Sequence, residues 1–122
     1  LGKAENYHLT DMGELFVHAG IHPNLELNDQ PVEDFYLSRK MWTDTITSRL
    51  PIPHFKHIYI GHTPTHSVFK DGLPVTIANV TNMDTGAAFT GKLSMMNLDT
   101  KQIFQSDDVP SLYPMHSGRN KI

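Results

Sequence analysis

Two histidines of this chain stand in the same kind of place. The run Leu15-Phe16-Val17-His18-Ala19-Gly20-Ile21 is apolar and β-prone up to His18, and Gly20 then lets the chain turn. Ile58-Tyr59-Ile60-Gly61-His62-Thr63-Pro64-Thr65 repeats the design: an apolar strand stops at a glycine, presents a histidine, and meets a proline that cannot resume a ladder. Neutral imidazole is the commonest protein ligand for transition metals, and a strand-end histidine beside glycine combines little freedom with open access. If the two strands are parallel neighbours, both rings leave the sheet along the edge where open α/β sheets bind ligands. Since the chain holds eight histidines, satisfied structural histidines are the alternative reading of His18 and His62.

The elements that must position these residues follow from periodicity. Residues 5 to 10 predict a strand that turns at Asp11-Met12-Gly13 into the run at Leu15, a hairpin signal. Residues 22 to 31, rich in Pro, Asn and Asp, read as a loop. Val32, Phe35, Tyr36, Trp42, Ile46 and Leu50 then recur at helical spacing, and the prolines at 51 and 53 end the pattern. This is the one main helix, with a break expected near Lys40. After the strand at His57 to Ile60 the chain is β-rich, with strands expected at Ser67 to Phe69, Val75 to Ala78, Gly91 to Leu98 and Gln102 to Gln105, the last two paired across Asp99-Thr100-Lys101. Asn82 to Gly86 reads as a polar turn. The order predicts a mixed sheet in an α/β or α+β layer fold, as one unit over residues 1–122 with a loosely packed tail from 106.

Composition narrows the chemistry. The chain has 122 residues, no cysteine, and ten basic residues against thirteen acidic ones, so thiolate zinc sites and disulfides are excluded. No Lys/Arg stripe marks a nucleic-acid partner. No apolar run reaches the roughly 18 residues of a membrane helix, and a cytoplasmic setting is expected.

Phe16-Val17-His18-Ala19-Gly20-Ile21, then Ile60-Gly61-His62-Thr63-Pro64, then Asn82-Met83-Asp84-Thr85-Gly86 together resemble the calcineurin-like metallophosphoesterases. More narrowly, they resemble the branch of serine/threonine phosphatases and diadenosine tetraphosphatases, over about residues 12 to 105. The resemblance implies a mixed-sheet αββα sandwich and makes His18 and His62 ligands of one metal in a dinuclear centre, with Mn, Fe, Zn or Ni as the ions. Pro64 stands where wider relatives carry a second ligand histidine, so His66 receives no ligand role. Phe35-Tyr36-Leu37-Ser38-Arg39 is similar to the family's run that carries a phosphate-gripping arginine, which makes Arg39 the clamp, with Arg49 behind it. A planar guanidinium suits that task because it bonds two phosphate oxygens at once. A surface arginine on an amphipathic helix is the alternative for Arg39. Asp84 either lines the site or forms an Asx turn, and His22 stands where relatives more often have asparagine.

The family's upstream Gly-Asp-x-His, Gly-Asp-x-x-Asp-Arg-Gly and Gly-Asn-His motifs have no counterpart here. The resemblance therefore implies the C-terminal half of such an enzyme, partnered by its own N-terminal half. A lone half is expected to bind metal weakly and to be essentially inactive. Its substrates would be phosphorylated proteins or small phosphoesters, with dinucleoside polyphosphates as the close rival. A non-catalytic phosphatase-like binding or scaffold domain is the reading from another class, and association of two such chains is a further expectation, since a half sheet exposes edges that a partner can cover.

Overall fold

A computed structural model describes residues 5–112. They divide into two compact units, one running to Thr63 and including Thr76–Asn82, the other made of Pro64–Val75 and the residues from Met83 on.

The first unit is built on a mixed five-stranded sheet of order β1-β2-β3-β5-β4, from β1 (Tyr7–Leu9), β2 (Glu14–Val17), β3 (His57–Ile60), β4 (Val75–Ile77) and β5 (Val80–Asn82). The β1–β2 hairpin is antiparallel, with His8 opposite Phe16. Its turn closes through Thr10, whose hydroxyl accepts the Glu14 N–H at 3.1 Å, and through Gly13, whose φ of 83° a side chain would resist. β2 and β3 run parallel, with Leu15 beside Ile58 and Phe16 beside Tyr59, and β3 and β5 are parallel in turn, with Ile60 beside Asn82. Parallel neighbours need a long crossover, which here contains α1 (Val32–Leu37) and α2 (Lys40–Ser48).

Strand alternation sorts the side chains. Leu15, Val17, Ile58, Ile60 and Val80 share one face and are buried. Tyr7, opposite Val17, carries that face to α1, where its ring lies 5.4 Å from that of Phe35. Phe35 on α1 and Met41, Trp42 and Thr45 on α2 are buried as well. On the other face Phe16 and Tyr59 stack at 4.9 Å and 10°, worth about 0.5–1.5 kcal/mol beyond area burial. The predicted helix is indeed interrupted, at Ser38 and Arg39: Ser38 is extended (ψ 126°) while its N–H still closes α1 on the Asp34 carbonyl.

In the second unit, β6 (Ser94–Met96) and β7 (Ile103–Gln105) form the expected antiparallel hairpin, with Met95 opposite Phe104. Its loop is organised by Asn97, whose side chain accepts the N–H groups of Asp99 and Thr100. Ser106 and Val109 are tied by backbone bonds to Leu93 and Gly91, and α3 spans Val109–Leu112. The rest of the anticipated tail lies outside the described residues.

Two strand expectations are corrected. Ser67 to Phe69 is no strand: Thr65–Ser67 forms a 3-10 turn, because Pro64 withholds a ladder donor and the Ser67 hydroxyl donates back to the Pro64 carbonyl at 2.9 Å. Val80–Asn82, expected partly as turn, is instead the third parallel strand. The class is thus α+β with a mixed sheet and few helices. Among the described residues no helix is long and apolar enough to cross a membrane.

Candidate metal centre

Because β2, β3 and β5 are parallel and in register, their carboxyl ends lie along one edge of the sheet. His18 follows the last residue of β2, and Gly61-His62 follows the last residue of β3. The ladder continues one step beyond the strands, since the Gly61 N–H donates to the His18 carbonyl at 2.8 Å. Thr63 N–H then donates to the Gly61 carbonyl at 2.7 Å, closing a three-residue turn around His62, whose φ is 68°. A γ-turn with positive φ is rare and strained, and it is occupied here by a residue with a full side chain.

The turn brings His62 Nδ1 to 3.2 Å from His18 Nε2, with ring centroids 5.0 Å apart and planes at 59°. Two nitrogens each about 2.0–2.1 Å from one ion, subtending about 90–110° at it, lie roughly 2.9–3.4 Å apart. The observed spacing falls inside that window, so the pair fits adjacent positions on a single metal ion. Without an ion the same distance suits a hydrogen bond in which one neutral ring donates to the other. His18 is exposed and His62 half-buried, leaving solvent access to the nitrogens.

The segment around His18 is held from the helical side. Ala19 N–H donates to the Phe35 carbonyl at 2.8 Å, anchoring the loop to the end of α1. A methyl group at Gly20 would meet Met41 Cβ at 3.3 Å and the Ser38 carbonyl at 3.5 Å, so the His18-Ala19-Gly20 backbone lies close against the junction between the two helices. Arg39 is at that junction, as the residue preceding α2, and is exposed. Arg49 is the residue that closes α2, with φ 58°, a helix length of about 15 Å from Arg39 at ~1.5 Å per residue. The two arginines thus occupy opposite ends of α2, and it is Arg39 that shares the junction with the His18 loop.

The other sequence candidates, Asp84, His66 and His22, make contacts of their own. Asp84 forms the Asx turn, its Oδ1 accepting the Gly86 N–H at 3.0 Å. His66 lies against Gly86 and meets Phe89 edge-on at 5.8 Å. His22 is exposed, and its Nδ1 accepts the Asn24 N–H at 3.3 Å. His57 contacts the Thr81 hydroxyl at 2.6 Å. His116 lies outside the described residues. Among the described residues no group of three or more His, Asp or Glu gathers to hold an ion. One residue at this edge escaped sequence reading: Asn82, last in β5 and fully buried. No local signal marked it, because Val80-Thr81-Asn82 mixes polar with apolar residues. Set against family models, curated proteins and solved structures, the chain finds no match.

Proposed function

We propose that this chain is the C-terminal part of a metal-dependent phosphoesterase of the calcineurin-like kind, in the serine/threonine phosphatase branch, hydrolysing phosphomonoesters once its N-terminal half completes a dinuclear centre. One observation carries the reading: two histidines at the ends of adjacent parallel strands, 3.2 Å apart through Nε2 and Nδ1, at the spacing of two ligands on one ion. In that frame the five-stranded sheet is part of one layer of an αββα sandwich. Bound divalent ions supply Lewis acidity toward phosphoryl oxygens and a water-derived nucleophile at neutral pH.

The chain's own residues do the rest. His18 and His62 ligate only as neutral rings, so each keeps its lone pair pointed at the shared position. Arg39, at the helix junction beside the His18 loop, grips a phosphoryl oxygen and offsets its charge; the planar fork makes lysine a poor replacement. The bridging carboxylate and the proton donor to the leaving group come from outside this chain.

Activity assays test this directly. The 122-residue chain with manganese should leave p-nitrophenyl phosphate essentially intact. Joined to an upstream half carrying Asp-x-His and Asn-His, it should hydrolyse the ester, and His18→Ala or His62→Ala should each abolish turnover, while Arg39→Ala lowers it about 10-fold or more. Hydrolysis by the isolated chain at the rate of an intact enzyme, lost on His62→Ala, would overturn the half-site reading. Phosphopeptide against diadenosine tetraphosphate as competing substrates separates the two enzyme classes, and a joined protein that binds metal but turns over neither points to the scaffold reading.

A further inference from the structure

His62 adopts its left-handed turn although histidine, unlike glycine, resists that backbone conformation, so something must hold the turn in place. On one side it is tied to β2 by the Gly61 N–H bond to the His18 carbonyl. On the other side the residue following His62 is tied to β5: Asn82 Nδ2 donates to the Thr63 carbonyl at 2.7 Å. Asn82 is fully buried, pairs with Ile60 across the β3–β5 ladder, and points to the same face as the apolar Val80. An amide among apolar side chains is costly unless its hydrogen bonds are made, and an apolar residue there would satisfy the core without reaching Thr63.

We propose that Asn82 is a positioning residue: its side-chain amide clamps the Thr63 carbonyl and thereby holds the strained turn that sets His62 Nδ1 beside His18 Nε2. As a statement about metal affinity this rests on the reading of the pair as ligands; as a statement about backbone geometry it does not. Losing the clamp frees the Thr63 peptide, lets His62 relax to negative φ, and swings its ring away from His18.

The test uses zinc titration and proton NMR on the same samples. In the wild-type chain the His18 and His62 rings should show a mutual Overhauser contact in the absence of metal. Asn82→Ala should lose that contact and weaken zinc binding about 10- to 100-fold, the range found when a residue that orients a ligand is removed. Asn82→Thr, better suited to a strand and too short to reach Thr63, should behave the same way and serves where the alanine variant folds poorly. Ile58→Val, a core truncation in β3, should lower thermal stability yet leave both readouts unchanged, which separates positioning from mere destabilisation. The clamp is overturned if the folded Asn82 variants keep the ring contact and bind zinc within about twofold of wild type. If zinc does not bind the wild-type pair at all, the metal reading fails by itself, and the metal-free ring contact alone decides the clamp.

Discussion

Replacing His62 by glycine should leave the chain more stable than replacing it by alanine, although both changes remove the metal pair. With φ at 68°, an L-residue pays about 1–3 kcal/mol for so sparsely populated a backbone conformation, and alanine keeps that strain. Glycine relieves it but adds about 0.4–1 kcal/mol of unfolded-chain entropy. The balance leaves His62→Gly more stable than His62→Ala by about 1 kcal/mol, or about 4 °C in Tm for a chain of this size. At an ordinary helical position the order reverses, so Thr47, exposed in α2, is the control: Thr47→Ala should exceed Thr47→Gly by about 1 kcal/mol. Urea unfolding followed by the fluorescence of Trp42, the only tryptophan and 1% exposed, reads all four variants. A His62→Gly variant less stable than His62→Ala would refute the strained turn, and with it the account of how the two rings meet.

Other consequences follow from the same geometry. A methyl at Gly91 would lie 2.0 Å from the Thr85 carbonyl oxygen, a backbone atom, so Gly91→Ala should cost about 2 kcal/mol or more in urea unfolding, more than Gly72→Ala, where only the positive φ of 71° opposes the change. Arg49→Gly should raise Tm, because the left-handed residue closing α2 is the position where glycine is favoured, with a gain of up to about 1 kcal/mol. Zinc affinity measured by calorimetry should fall on acidification, because protons and zinc compete for the same imidazole lone pairs.

How much of this was legible in the residues depends on the range of the interactions involved. β2 and β3 were readable because Leu15 to Val17 and Ile58 to Ile60 are apolar runs bounded by glycine, and the break near Lys40 because Ser38 sits where the helical spacing falters. β5 was not, since Val80-Thr81-Asn82 mixes polar with apolar residues and becomes a strand only through its place beside β3. Ser67 to Phe69 carries some β-propensity, but the local hydrogen bond between the Ser67 hydroxyl and the Pro64 carbonyl outweighs it. The strand-end placement of His18 and His62 was visible, but their nitrogen-to-nitrogen spacing depends on a backbone turn at His62 that has no local signature, and on bonds to His18 and Asn82 that are remote in the chain.

The central claim is that His18 and His62 hold one ion together. Long-range nitrogen–proton correlation spectra of the imidazole rings during a zinc titration test it most directly, because they report which ring nitrogen is ligated. If the two rings share an ion, then of the eight histidines His18 through Nε2 and His62 through Nδ1 shift together, saturate at one zinc per chain, and both stop responding in His18→Ala. Zinc shifts that appear first at other histidines, or at only one of this pair, would contradict it.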